Sequence, residues 1–343
     1  MIHLHKTVTI IAALILLSVP ALAEEPTWLD RLPDPPNWKT PTMGGTQLWA
    51  DQLHFRDWRI QRNTLTGHCR LLDGDDYRHA WGTYKACDEA LQKIRKEKNL
   101  QPYRGKAVVA LHGLWSTRGR MDSMCDYLEK EGGYHVYNVT YPTTQGSVAE
   151  HAKTLDRILR NLEGVTEINF VAHSLGNIVI RHYLADQTDP AKGLTPDRRI
   201  RRLVMIGPPN QGARLAEKFG RNKVFEWATG ESGEAFSRRW DDLEKKLTIP
   251  KQEFGIIAGG STSSIEQNPL IAGNDDLLVT VEETRLPGAR DFVVLPVKHF
   301  FMPGDETVQQ VTLRFIEQGY FTSAAGRKPI PRDYKPAEGD RGE

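Results

Sequence analysis

Only 3 cysteines occur among the 343 residues. A dense disulfide scaffold is therefore excluded, and a chain of this length can bury a core without one. A surplus of charge of one sign is also missing: 45 basic against 44 acidic residues leave a formal net charge of +1. No polyanionic partner such as nucleic acid is implied. The cysteines and the 11 histidines lack the spacing of metal ligands, and no glycine-rich loop enters a helix through Lys-Ser or Lys-Thr. Neither a metal nor another cofactor is indicated. Internal repeats are absent, and no segment after residue 23 approaches the length of a membrane span.

Residues 1–23 stand apart. Lys6 precedes an almost unbroken apolar run from Val8 to Val19, which Pro20 ends ahead of Ala21-Leu22-Ala23. The run is short for a bilayer span and closes on small residues, the pattern of a secretory signal peptide cleaved after Ala23. A secreted or periplasmic protein is expected, an uncleaved anchor being the other reading. Export permits disulfides, so Cys69 and Cys87 could pair, or all three thiols could stay free. Cys125 falls in the stripe Met121, Met124, Cys125, Leu128 and reads as a small buried hydrophobe.

Residues 24–105 form an N-terminal extension expected to pack on the core. A Pro- and Trp-rich lead-in comes first, then strand pieces at Trp58–Ile60 and His68–Leu72 around Asn63 and Gly67 predict a hairpin. Tyr84, Cys87, Leu91 and Ile94 recur at helical spacing. From residue 106 the pattern changes. Apolar runs at Ala107–Leu111, His135–Val139, Ile168–Ala172, Arg202–Ile206, Phe254–Ala258 and Phe292–Val297 alternate with amphipathic helices. One helix carries Val148, Ala152, Leu155 and Leu159 on a face opened by Ser147, with Glu150 three residues later as a capping box. Short apolar strands separated by helices predict an α/β fold, a mostly parallel central sheet with helices on both faces, over 106–325. The Pro-rich, charged stretch 326–343 is expected to be a mobile tail.

The strongest chemical signal is Ala172-His173-Ser174-Leu175-Gly176, where an apolar strand gives way at once to a helical run. A serine at the apex of so tight a turn is strained, and small residues two before and two after it avoid clashes. Its hydroxyl then stands above the sheet at a helix N-terminus, where developing negative charge is favoured.

On this elbow, the region 106–317 resembles the α/β-hydrolase lipases and esterases. The resemblance implies Ser174 as nucleophile and, after the strand that ends in His112-Gly113, an oxyanion hole from the N–H groups of Leu114 and Leu175. His112 and His173 read as structural hydrogen-bonders. The resemblance also implies a histidine after the last strand, which is His299, and an acid after the strand before it. Gly273-Asn274-Asp275-Asp276-Leu277-Leu278-Val279 supplies that acid; related lipases have Asp-Gly-x-Val here, which selects Asp276, whereas a slide of one residue selects Asp275. Gly207-Pro208-Pro209-Asn210-Gln211-Gly212 reads as a turn.

The implied activity is hydrolysis of carboxylic esters, as an esterase or lipase acting on a small-molecule or lipid ester with transient contact to a lipid interface. Acyl transfer or thioester hydrolysis by the same triad, or non-catalytic binding on a hydrolase scaffold, are the alternatives. Residues 213–250 carry Phe219, Trp227 and Trp240 among many charges; a lid over the site and an ordinary helix layer are both open.

Overall fold

The N-terminal sequence builds more than a hairpin. Strands β1 (Thr40–Pro41), β2 (Trp49–Phe55), β3 (Trp58–Asn63), β4 (Cys69–Leu72) and β5 (Tyr77–Gly82) form an antiparallel sheet in the order β1-β5-β4-β3-β2. The computed structural model describes residues 40–41, 47–212, 240–260, 276 and 278–335, all of them within one compact unit, Asp34–Glu343. Helix α1 (Tyr84–Glu97) starts at Thr83, whose hydroxyl accepts from the Ala86 N–H, and lays Cys87 and Leu91 against Ile60, Leu71 and Ala80. In β5 only Ala80 is buried, among polar and half-exposed neighbours. Its strand character comes from cross-strand pairing, which a hydrophobic pattern does not report. Cys69, Cys87 and Cys125 are all buried, and no disulfide joins them. This sheet is tied to the rest through Asp51, whose N–H donates to the Thr140 carbonyl at 2.9 Å and whose carboxylate accepts the Thr140 N–H at 2.6 Å.

Past residue 104 the strands are β6 (Gly105–Leu111), β7 (His135–Val139), β8 (Val165–His173), β9 (Ile200–Ile206), β10 (Glu253–Gly259) and β11 (Asp291–Leu295). They make one all-parallel sheet in the order β11-β10-β9-β8-β6-β7. Helices α2 (Asp122–Gly132), α3 (Val148–Arg160), α4 (Leu175–Thr188), α5 (Trp240–Glu244) and α6 (Glu306–Gln318) accompany it. Because successive side chains leave a strand on opposite faces, the run Ala107–Leu111 feeds two cores. Ala107, Val109 and Leu111 join the α3 and α4 layer with Leu155 and Ile178. Val108 and Ala110 join the α2 and α6 layer with Met124 and Phe315. Uninterrupted burial along a strand is the consequence of having helices on both sides. The capping box of α3 is present, Ser147 accepting the Glu150 N–H while Glu150 accepts the Ser147 N–H at 2.7 Å. Among the described residues no helix is long and apolar enough to cross a membrane.

Two expectations need correction. β11 ends at Leu295, before the expected Val297, because the Leu295 carbonyl accepts from Val297 and Gly260 and turns the chain out of the sheet. Residues 326–335 are not a mobile tail: Ile330 is buried, exchanges hydrogen bonds with Gly288 and Ala289, and Lys328 N–H donates to Asp291 at 2.8 Å. A single apolar anchor in a polar, Pro-rich stretch is too weak a pattern to read without its receptor. Of the segment 213–250, residues 213–239 lie outside the described residues, as do 1–23 and 336–343; Trp240 packs against the main core.

Candidate active site

In-register pairing of β6, β8 and β9 puts Leu111 beside Ala172 and His173 beside Ile206. The residues that follow these strands therefore gather at one edge of the sheet, the carboxyl edge where open α/β sheets hold their ligands. Ser174 is the first of them. It is held at φ 52°, ψ −121°, a conformation that costs an L-residue about 1–3 kcal/mol and persists only where neighbours enforce it. Its N–H donates to the Ile206 carbonyl at 2.9 Å, and its carbonyl accepts from the Asn177 N–H at 3.0 Å. The Asn177 side-chain amide donates to the Ala172 and Ser174 carbonyls, each at 3.1 Å. Gly176 lets α4 begin this close to β6: a methyl group there would lie 2.9 Å from the Leu111 carbonyl oxygen.

The His112-Gly113-Leu114 loop passes beside the hydroxyl. A Cβ on Gly113 would stand 2.9 Å from Ser174 Cβ and 3.5 Å from its Oγ, so no larger residue fits at 113. Leu175 is the first residue of α4, and its N–H is one of those that a helix leaves without an internal acceptor. Leu114 is half-buried against the core.

Asp276 and His299 come together beyond the ends of β10 and β11. His299 opens the turn after β11, and its Nδ1 lies 2.6 Å from Asp276 Oδ2, both side chains being buried. The Asp276 carboxylate accepts two further bonds, from Leu278 N–H at 3.1 Å and Val279 N–H at 2.8 Å. The His299 N–H donates to the Asp276 carbonyl at 2.9 Å. A carboxylate facing Nδ1 requires the proton on that nitrogen, which leaves the Nε2 lone pair as the ring's acceptor. His173 links this pair to the elbow: its Nε2 donates to the His299 carbonyl at 3.0 Å, and the two ring centroids are 4.6 Å apart. No hydrogen bond joins Ser174 Oγ to His299 among the described residues; in ligand-free sites such bonds are often long and tighten on substrate. Asp275 lies outside the described residues.

Burial, then the His299 charge, then the Arg120 charge hold the His173 ring neutral, well below the usual histidine range. Burial likewise pushes His112 down to about 4. That ring is stacked on Tyr141 at 4.4 Å and bonds through Nδ1 to the Gly113 carbonyl, while its carbonyl accepts from the Tyr141 hydroxyl. Burial, with a smaller contribution from the His112 charge, pushes neighbouring His151 to about 3. Histidines neutral in the fold and protonated in the unfolded chain add stability that is complete above the unfolded pKa, near 6.5, and lost as pH falls toward these values. Each contributes about 1.4 kcal/mol per pH unit in that window. The melting temperature is expected to drop between pH 7 and pH 4.5, and less steeply in His151→Gln; an equal slope in both proteins would rule His151 out as a source.

Gly207 is a site residue that sequence reading passed over as part of a turn. It stands at φ 52°, and a Cβ there would sit 3.1 Å from both Cε1 and Nδ1 of His299. The signal available was its place directly after β9, level with the elbow. Gly207→Ala is expected to displace the imidazole and lower turnover at least about tenfold, the cost of a small misplacement of a reacting group. Wild-type turnover in that variant would show that the ring has room to spare.

Strand order, uniform direction and the strained serine turn between β8 and α4 decide the architecture. This is the α/β-hydrolase fold. The model of a domain of unknown function, DUF7379, matches residues 77–234 of this chain. A search of curated proteins finds no match. Among solved structures, the mature form of the Bacillus licheniformis lipase BlEst2 is similar at 16% identity and a TM-score of 0.46, over 62% of this chain and 90% of that one. Its propeptide form is similar at 17% identity and a TM-score of 0.44, over 57% of this chain but only 46% of that one. The metagenomic carboxyl esterase MGS0156 follows at 16% identity and a TM-score of 0.40, over 57% of this chain and 65% of that one. Among the described residues no group of three or more His, Cys, Asp or Glu is arranged to hold a metal ion.

Proposed function

We propose that this chain hydrolyses carboxylic esters through an acyl-enzyme on Ser174, with His299 as general base and Asp276 orienting it. The observation that carries the reading is the 2.6 Å contact of His299 Nδ1 with Asp276 at the sheet edge where the strained Ser174 stands. A serine hydroxyl is a poor nucleophile until imidazole takes its proton. In the first step Ser174 Oγ bonds to the ester carbonyl carbon as its proton passes to His299 Nε2. The N–H groups of Leu114 and Leu175 receive the oxyanion. The carbon to alkoxide bond then breaks, and His299 returns the proton to the departing alcohol. Water, giving up a proton to His299, attacks the acyl-enzyme and releases the acid and Ser174.

The apolar N-terminal run Val8–Val19, followed by Ala21-Leu22-Ala23, supports export to the periplasm or medium. The test is direct. The chain is incubated with a neutral fluorophosphonate and, separately, with nitrophenyl esters of increasing chain length. A mass increase on the Ser174 peptide together with ester turnover is expected; labelling elsewhere, or none, would sink the assignment.

A further inference from the structure

Two sets of residues that acyl transfer leaves unused, each following a candidate site residue in the chain, line one cleft. One follows the Gly113-Leu114 loop and includes Trp115, Thr117 and Arg120; the other follows the base and includes Phe300, Phe301 and Asp305. Between them lies a cleft of about 710 Å³, within the range of pockets that take small organic ligands. Its aromatic rings are solvent-exposed, Trp115 by 47%, Phe300 by 45% and Phe301 by 65%. Trp115 also sits at φ 56°, a left-handed conformation that a bulky residue adopts only at a cost. Large rings clustered in solvent around a cleft mark a binding surface.

Arg120 decides the chemistry of the ligand. Its neighbour Arg118 is paired with Asp76, whereas Arg120 is exposed and forms no ion pair among the described residues. Its charge reaches inward as far as His173, the residue before Ser174. The carboxylate that shares the cleft is already engaged: Asp305 caps α6, its Oδ1 accepting the Val308 N–H at 3.0 Å. The hydroxyl-bearing Ser116 and Thr117 line the same wall. A guanidinium with unspent donors, beside hydroxyls, matches the several oxygens of a phosphate.

The side of the ester follows from proton transfer. His299 must hand its proton to the leaving oxygen, so the alcohol half lies next to His299, and Phe300 to Asp305 follow His299 in the chain. We infer that this cleft holds the alcohol half of the substrate and that this alcohol carries a phosphate bound by Arg120, an inference that rests on the ester-hydrolase reading above. The phosphate could belong to a lipid headgroup or to a soluble phosphorylated alcohol.

The deciding measurement is kcat/KM on matched pairs. Hexanoylglycerol is compared with hexanoylglycerol 3-phosphate in solution, and monooleoylglycerol with oleoylglycerol 3-phosphate in neutral detergent micelles. The phosphorylated member is expected to win by about tenfold or more in at least one pair, a preference confined to the micellar pair identifying a lipid source and one confined to the soluble pair a free alcohol. The preference should shrink as salt screens the charge, survive in part in Arg120→Lys and invert in Arg120→Glu. Ratios near one in the wild type, or a ratio unmoved by Arg120→Glu, overturn the inference. Labelling of wild-type Ser174 by a neutral fluorophosphonate separates the two readings. Labelling with flat ratios removes the phosphate site alone, and absence of labelling removes the ester-hydrolase reading with it.

Discussion

Ser174→Ala is expected to lose ester hydrolysis by at least about 10⁴-fold and to lose fluorophosphonate labelling altogether, because the proposed acyl-enzyme forms on the hydroxyl that this change removes. The fold should survive. The strain of the elbow resides in the backbone, at φ 52° and ψ −121°, and is held by bonds from the Ser174 and Asn177 main chain and the Asn177 amide. None of these uses the serine hydroxyl, and alanine is no larger. The melting temperature should therefore move by only a few degrees. Activity above a few per cent of wild type would mean that the nucleophile lies elsewhere, and collapse of the fold would mean that the hydroxyl supports the turn in a way its bonds do not indicate.

The second large effect is expected at Asp276. Its carboxylate is buried and accepts from His299 Nδ1 and from the N–H groups of Leu278 and Val279. Asparagine can keep the two main-chain bonds through its oxygen, but then offers its amide N–H to Nδ1. The imidazole must respond by moving its proton to Nε2, where it can no longer accept from the serine. Turnover should fall about 10⁴-fold, the size found for the same exchange in a serine protease. Asp275→Asn is the control and should cost less than about threefold. The reverse ranking, measured as kcat on a nitrophenyl ester, would transfer the role to Asp275.

Sheet and elbow were legible for the same reason. A strand covered on both faces must be apolar throughout, so β6 and β8 announced themselves as runs, and the abrupt change from the β8 run to a helical one located the serine between them. The antiparallel sheet before residue 83 was only half legible, because β5 owes its place to partners and buries Ala80 alone. The packed segment around Ile330 was missed for a similar reason, its receptor being the backbone of Gly288 and Ala289.

What the sequence determined by itself was local: strands and helices by periodicity, a capped α3, and a serine flanked by Ala172 and Gly176, whose small size the turn's sterics demand. The acid was narrowed to two adjacent aspartates. The contact that favours Asp276 for the proposed role, 2.6 Å from a ring 23 positions away, is a tertiary one that the sequence does not carry. Tertiary structure alone also brought Gly207 against His299 and set Arg120 across a cleft from Phe300 and Phe301. Distances between residues far apart in the chain depend on how layers pack, and packing is decided by the whole core at once.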